Sequence, residues 1–193
     1  MKRYVVAITG ASGPIFGVRL AGELLKSAEV HLIMSSNTLP ILLDETGIDW
    51  SGGTPDKVKA HFRSEQVFFH DDRRLDAPVA SGSFRTDGMF VVPCSMKTLS
   101  GIAQGYAQNL IERAADVTIK EGRRLLLSPR EMPFSALHLE NMLKLARLGV
   151  TIAPPVPAFY HKPRDLDGMV NFLIGRMIDS FQIDHDLYAR WGK

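Results

Sequence analysis

Glycines and small polar residues stand directly after the first apolar run of this sequence. The run covers residues 4–8, and the loop that follows reads Thr9-Gly10-Ala11-Ser12-Gly13. Glycines let a backbone approach a phosphate closely, and the first turn of a following helix offers free N–H donors. The loop therefore predicts a phosphate or nucleotide site. A tight strand-to-helix turn is the alternative explanation of the same glycines.

A second set of anion-binding groups follows the apolar run at 89–92. Its residues are Cys94, Ser95, Met96, Lys97 and Thr98. Two hydroxyls and a lysine at the start of a predicted helix indicate another anion site, and ordinary helix capping by Ser95 is the alternative. We expect Cys94 to be a small buried residue rather than a nucleophile, because no histidine is placed in the sequence to activate it.

A third group of residues is charged. Arg130 and Glu131 directly follow the apolar run at 125–127, and a structural salt bridge is the alternative to a role in binding. Arg113 and Lys120 stand seven residues apart on the preceding predicted helix and share roughly one face. Several cations converging on one strand edge predict a second anionic group beyond a nucleotide phosphate. Further along, the sequence adds a phenol and another cation, Tyr160 and Arg176.

Other patterns exclude alternative kinds of site. The second predicted strand ends in Ser35-Ser36-Asn37 and lacks the acidic residue that an NAD site places there, so a mononucleotide phosphate or a flavin edge fits better. The run Asp71–Asp76 is interpreted as a solvated turn. The six histidines have no metal-ligand spacing, so no metal site is predicted.

These loops must be positioned by alternating strands and helices. Apolar runs predict strands at 4–8, 30–34, 66–69, 89–92, 125–127 and 150–153, and the intervening patterns predict helices ending near Lys26, Glu45, Gly105, Lys120, Leu148 and Gln182. The segment 47–87 is otherwise expected to be irregular. The pattern predicts a single-domain, three-layer α/β fold of the Rossmann or flavodoxin-like type over residues 1–193, with a parallel sheet and helices on both faces. In such sheets ligands bind at the carboxyl ends of the strands.

Composition narrows the class of protein. The 193 residues are 45% hydrophobic and 23% charged with a net charge of +2, which fits one compact domain and argues against a disordered chain or a polybasic nucleic-acid binder. One cysteine excludes a disulfide framework and indicates a reducing compartment. No apolar run approaches the roughly 20 residues of a membrane helix, and the one after Arg3 is too short for a secretion signal. We therefore expect a cytoplasmic protein.

Taken together, the motifs resemble the UbiX-like flavin prenyltransferases, often named as subunits of aromatic or phenolic acid decarboxylases. The resemblance spans nearly the whole chain in the family's order, and the matching stretches are Gly10–Gly13, Ser81–Phe84, Pro93–Ile102, Arg113–Val117, Lys120-Glu121, Arg130–Pro133, His138–Met142 and Pro157–Tyr160. It implies a metal-independent enzyme that joins the dimethylallyl group of dimethylallyl monophosphate to N5 and C6 of reduced FMN. The prenylated FMN then serves a UbiD-like decarboxylase in ubiquinone synthesis or in the breakdown of aromatic acids.

The resemblance also implies roles for individual residues. The residues expected to bind FMN are Gly10, Ala11, Ser12, Gly13, Ser35, Ser95, Met96, Lys97, Thr98 and Arg130. Those expected at the prenyl phosphate are Arg113, Lys120, Arg130, Tyr160, Arg176 and Trp191. The catalytic set is Glu131, Ser12, Glu45 and Arg130, with Glu131 handling protons.

The resemblance further implies a homododecamer whose active sites lie at subunit contacts, so that one site draws residues from more than one chain. The final helix and tail, about 165–193, are expected to close the site and to make oligomer contacts. Two alternatives remain at this stage. One is an FMN-dependent decarboxylase of peptidyl cysteines, and the other is a non-catalytic FMN-binding subunit of an aromatic acid decarboxylase.

Overall fold

Six parallel strands form one sheet in a computed structural model that describes residues 1–190. The strands are β1 (Lys2–Ile8), β2 (Ala28–Met34), β3 (Val67–Asp71), β4 (Gly88–Cys94), β5 (Leu125–Pro129) and β6 (Thr151–Ile152). Their order in the sheet is β3-β2-β1-β4-β5-β6, and every neighbouring pair is parallel. Each of the six predicted strands is present, which confirms the predicted parallel α/β sheet.

Helices cover both faces of this sheet. They are α1 (Pro14–Leu24), α2 (Thr38–Thr46), α3 (Thr54–Phe62), α4 (Met96–Gln104), α5 (Leu110–Lys120), α6 (Ala136–Arg147) and α7 (Leu166–Asp179). Side chains that alternate along a strand enter opposite cores. Leu126 joins the core beneath α1 and α7, whereas Leu125 and Leu127 join the core beneath α4, α5 and α6. The three-layer architecture is therefore confirmed.

The structure departs from the predicted elements in three places. Helix α3 lies in the segment expected to be irregular, and that expectation was wrong. Only Val58 of this helix is buried, and two glycines with positive φ stand just before it, so its sequence carries little helical periodicity. Strand β6 has two residues rather than four, and α7 ends at Asp179 rather than near Gln182.

The order of the strands opens a crevice between β1 and β4. The chain leaves β1 toward β2 on one side and returns to β4 on the other, so the loops after β1 and β4 diverge above the sheet. Thr9 joins their bases. Its hydroxyl donates to the Pro93 carbonyl at 2.8 Å and accepts from the Ser95 N–H at 2.8 Å. The fold therefore places two of the predicted anion-binding loops side by side.

Helix α1 packs onto the sheet through Gly17. A Cβ at this position would lie 2.2 Å from the Val92 carbonyl oxygen and 2.7 Å from Ile8 Cγ1. We therefore expect Gly17→Ala to lower the free energy of unfolding by about 2 kcal/mol, which a thermal melt records as a lower Tm. Gly22→Ala in the same helix is the control, because its nearest contact would be Phe62 at 3.6 Å, and alanine there favours the helix. Equal Tm values for the two variants would contradict this packing.

Candidate active site

Hydrogen bonds join four loops at the carboxyl ends of the strands. We call them loop 1 (9–13), loop 2 (35–37), loop 3 (94–98) and loop 4 (130–133). Beyond the Thr9 contacts, the Ser35 N–H donates to the Ile8 carbonyl at 3.1 Å, and the Arg130 N–H donates to the Cys94 carbonyl at 3.1 Å. Residues that are far apart in sequence thus form one continuous rim above the sheet.

Loop 1 lies against loop 2 and carries a carboxylate from α2. Gly13 has φ 90°, a left-handed conformation suited to glycine, and its N–H donates to Glu45 Oε2 at 2.8 Å. A Cβ on Gly10 would lie 3.0 Å from the Asn37 Cβ, so these two loops touch. Ser12 is exposed between these two contacts. The structure therefore brings Glu45 to the residue that follows Ser12, although Glu45 and Ser12 are more than thirty residues apart in the sequence.

Loop 3 begins α4 with a serine cap. Ser95 Oγ accepts from the Thr98 N–H at 3.3 Å and is 3.1 Å from the Thr98 hydroxyl. The capping alternative is therefore correct for this serine, and it leaves the other amides of the first turn available to an anion. Lys97 is exposed at the start of the helix. Cys94 is fully buried, which raises the pKa of its thiol and keeps it protonated, as expected for a packing residue.

Loop 4 presents a cation and a carboxylate to solvent. Arg130 and Glu131 are both exposed, and Glu131 Oε1 accepts from the Met132 N–H at 3.0 Å. Within residues 1–190 neither side chain forms an ion pair. In this part of the chain, no salt bridge therefore occupies the two side chains. Because β5 lies between β4 and β6, loop 4 separates loop 3 from the proline loop after β6.

Tyr160 and Arg176 line one cleft beside β6, and this cleft also includes Thr151 at the start of that strand and Ser180 after α7. The cleft has a volume of about 370 Å³ and lies between α7 and the proline loop that includes Pro154 and Val156. The Tyr160 ring makes an edge contact with Phe172 of α7, with 5.6 Å between the ring centroids. A phenol and a guanidinium facing one cavity form an anion-binding pair.

Arg113 and Lys120 lie on one face of helix α5, Arg113 near its start and Lys120 at its end. Arg113 Nε donates to the Ala80 carbonyl at 3.1 Å, and a Cβ on Gly82 would lie 3.1 Å from Lys120 Nζ, so both side chains contact the segment 80–82. Helix α5 begins where the Leu110 N–H donates to the carbonyl of Asp72, which directly follows β3. It ends at Lys120, just before β5 begins.

The position of Lys120 follows from the direction of a crossover helix. Such a helix runs antiparallel to the strands, and the 11 residues of α5 span about 15 Å, so its last residue lies near the amino ends of the strands. Within one chain Lys120 therefore lies at the opposite end of the sheet from Arg130. Its contact with a prenyl phosphate stays a prediction, and it requires a Lys120 from another copy of the chain.

Asp72 differs from its neighbours in the run interpreted as a solvated turn. The other charged residues of the run pair locally, Arg73 with Asp71 and Arg74 with Asp76, each at 2.7 Å. Asp72 is only 9% exposed, and burial raises its pKa, with the Asp71 charge acting in the same direction. The backbone of Ser36 donates to it, so it supports loop 2. Nothing in the run Asp71–Asp76 itself distinguishes Asp72 from its charged neighbours.

Three further expectations concern Trp191, metal binding and membrane-spanning helices. Trp191 lies outside the residues that the structure describes. Within residues 1–190, no group of three or more His, Cys, Asp or Glu side chains is arranged to hold a metal ion. In the same part of the chain, no helix is both long and apolar enough to cross a membrane.

Sequence comparison finds close relatives along nearly the whole chain. The family model described as Flavoprotein matches residues 1–177. The flavin prenyltransferase UbiX of Methanocaldococcus jannaschii is 47% identical over 190 residues, which are 98% of this chain and 98% of that protein. The mitochondrial flavin prenyltransferase PAD1 of Saccharomyces cerevisiae is 48% identical over 191 residues, 98% of this chain and 75% of that protein.

Solved structures agree with these relatives. AnUbiX (PadA1), crystallised with FMN and dimethylallyl pyrophosphate, superimposes with a TM-score of 0.91 at 43% identity, over 100% of this chain and 98% of that chain. A dodecameric FMN-dependent UbiX-like decarboxylase from Escherichia coli O157:H7 gives 0.88 at 45% identity over 100% of both chains. The cypemycin decarboxylase CypD gives 0.57 at 16% identity over 80% of this chain and 83% of that chain, a likeness of fold alone.

Proposed function

The chain belongs to the UbiX-like flavin prenyltransferases, and from that membership we propose that it joins the dimethylallyl group of dimethylallyl monophosphate to N5 and C6 of reduced FMN. The observation that carries the proposal is a second pair of anion-binding groups, separate from the nucleotide-type loops 1–3. Tyr160 and Arg176 line one cleft beside β6. A protein that only carried FMN would have no use for this second anion-binding pair, so the structure favours a two-substrate enzyme.

The rim formed by loops 1–3 fits FMN. Helix α4 begins there, so backbone N–H groups in its first turn are available to a phosphate. The exposed Ser12 and the half-buried Ser35 and Ser95 supply hydroxyls. Gly10 and Gly13 let loop 1 pack closely, because a Cβ on Gly10 would lie 3.0 Å from the Asn37 Cβ and one on Gly13 would lie 2.9 Å from the Phe16 ring. We assign FMN binding to these residues together with Ala11, Met96, Lys97, Thr98 and Arg130.

Prenyl transfer requires the carbon–oxygen bond of the prenyl phosphate to break and the departing phosphate to be stabilised. We propose that Arg130, Tyr160 and Arg176 hold that phosphate with charged and neutral hydrogen bonds, and of these Tyr160 and Arg176 line one cleft. Arg113 and a Lys120 from another copy are proposed to complete the set. These cations stabilise the negative charge that develops on the departing phosphate. A metal ion has that role in other prenyl transfers.

Reduced flavin supplies the two nucleophilic atoms, N5 and then C6, to which the dimethylallyl group becomes attached. Forming the N5–carbon bond breaks the prenyl carbon–oxygen bond and releases the N5 proton, which the departing phosphate can accept. Closing the new ring moves one proton from the ring carbon to a carbon of the prenyl double bond, so the step needs no net acid or base. Glu131 is suited to this task, because a carboxyl group can accept a proton at one oxygen and return it from the same group. We propose that Ser12, together with Glu45, which accepts from the neighbouring Gly13 N–H, orients the reacting ring beside Glu131.

The proposed assembly is a homododecamer, like the E. coli protein, with sites at subunit contacts that the segment 165–193 helps to close. Its product would pass to a UbiD-like decarboxylase. We further propose a cytoplasmic location, because the only cysteine is buried and no disulfide stabilises the fold.

The direct test is anaerobic incubation with reduced FMN and dimethylallyl monophosphate, followed by mass spectrometry of the released flavin. We expect a gain of one prenyl unit. Dimethylallyl pyrophosphate forms the second arm, because AnUbiX was crystallised with that ligand. Product from the pyrophosphate alone would replace the proposed donor. Unchanged flavin in both arms, from protein that binds FMN, would contradict the proposed function.

A further inference from the structure

Asp179, the last residue of α7, gathers polar groups from the helix and from the tail that follows it. Its carboxylate accepts from Arg190 Nη2 at 2.9 Å, contacts His185 Nε2 at 3.1 Å, and accepts a short hydrogen bond from the Tyr188 hydroxyl. Arg176 Nη1, one turn earlier on the helix, is 3.4 Å from the same carboxylate. Only 16% of the Asp179 side chain is exposed. Burial would raise its pKa, but the hydrogen bonds from Tyr188, Arg190 and His185 lower it, so it is ionised near neutral pH.

Gly175 lets the tail cross α7 at close range. A Cβ at this position would lie 2.6 Å from two Tyr188 ring carbons and 2.8 Å from His185 Cε1. Contacts under 3.0 Å are not tolerated without a shift, so any larger residue would push the tail outward. The side chains of Tyr188 and His185 can reach Asp179 because Gly175 has no side chain at this part of the helix surface.

Tyr188 contacts two of the α7 residues that line the cleft, Phe172 and Arg176. Its ring meets Phe172 with 5.0 Å between centroids, and Phe172 in turn meets Tyr160 at 5.6 Å. Its hydroxyl neighbours the Arg176 guanidinium and donates to Asp179. Tyr188 is therefore linked to Arg176 by polar contacts through Asp179. It is linked to Tyr160 by ring contacts through Phe172.

We infer that Asp179 is a positioning residue for the prenyl phosphate, acting through Arg176 and Tyr188. A long arginine side chain that is 59% exposed loses rotational freedom when it binds an anion. A carboxylate one turn away limits that freedom before the phosphate arrives, which lowers the cost of binding. This inference rests on the proposed function, because it names what holds two residues of the proposed site.

Asp179→Asn tests the inference by separating substrate binding from turnover. The amide keeps the shape of the side chain and removes its charge, so Arg176 and Tyr188 lose their common anchor. We expect the KM for dimethylallyl monophosphate to rise about tenfold, with kcat and the Kd for FMN within about threefold of the native values. The Kd for dimethylallyl monophosphate, titrated into protein loaded with oxidised FMN, should rise in parallel. Asp179→Glu, which restores the charge, should recover part of the loss.

Two further variants sharpen the test. Tyr188→Phe keeps the ring that packs on Phe172 and removes the hydroxyl, and we expect the KM to rise about threefold. If Asp179→Asn fails to fold, this variant carries the test alone. Asp186→Asn is the matched control, because Asp186 is exposed on the same tail and forms no hydrogen bond within the described residues.

The outcomes distinguish this inference from the proposed function. Native protein that makes no prenylated flavin contradicts the proposed function before any variant is compared. Active native protein with unchanged KM and Kd in both Asp179→Asn and Tyr188→Phe overturns the positioning role and leaves the proposed function intact. A loss of FMN binding equal to the loss of prenyl phosphate binding would also overturn it, because a general disturbance of the fold would then account for both.

Discussion

Replacing Glu131 by Gln is expected to lower kcat about a thousandfold while FMN stays bound. The glutamine keeps the oxygen that accepts from the Met132 N–H, a contact of 3.0 Å in the native chain, so loop 4 should keep its conformation. It cannot accept or return a proton, and the proposed ring closure depends on moving one. Single-turnover measurement under anaerobic conditions gives the rate, and an FMN titration gives the affinity.

Glu65→Gln is the control for this prediction. Glu65 is an exposed carboxylate that precedes β3 at the opposite edge of the sheet, and its ion pair with Lys59 is a surface contact of 2.7 Å. It should turn over at the native rate. Glu131→Asp, which keeps an ionisable group on a shorter arm, should fall between the two. Native turnover in Glu131→Gln would remove Glu131 from the mechanism and move the proton transfer to another group.

The strands and most of the helices could be predicted because each carries a strong local signal. Strands buried on both faces appear as continuous apolar runs, and β1 and β4 were located from those runs to within a few residues. Helix α3 could not be found in this way. It buries only Val58, so packing against β3 rather than its own sequence pattern determines where it forms.

Part of the candidate site could likewise be predicted from the sequence, and part of it depends on packing. Loops 1, 3 and 4 follow strands directly, so a parallel sheet requires their residues to meet at one edge. The pairing of Glu45 with Gly13 depends on how α2 packs, and the cluster around Asp179 depends on how the tail crosses Gly175. Neither contact has a local sequence signal. The resemblance predicted a role for Glu45, whereas Asp179 emerged only from the packed structure.

Lys120→Ala and Arg130→Ala should complement each other when they are expressed together. Lys120 lies near the amino ends of the strands and Arg130 at their carboxyl ends, so one site that uses both takes them from different copies. We expect each variant alone to lose about a hundredfold in kcat/KM, because each lacks a cation at the leaving phosphate. In mixed oligomers, a site that takes Lys120 from one copy and Arg130 from another is intact in about one quarter of cases.

Coexpression with two affinity tags, followed by sequential purification, isolates the mixed oligomers for assay. About a quarter of the native activity should return for the pair Lys120→Ala and Arg130→Ala. The matched control is the pair Arg130→Ala and Glu131→Gln. These two positions are adjacent in loop 4, so every site takes both of them from one copy. Every site then carries one lesion or the other, so no activity should return. Equal activity in the two mixtures would mean that Lys120 does not enter a neighbour's site, and the phosphate would have to be held by the cations at the carboxyl edge alone.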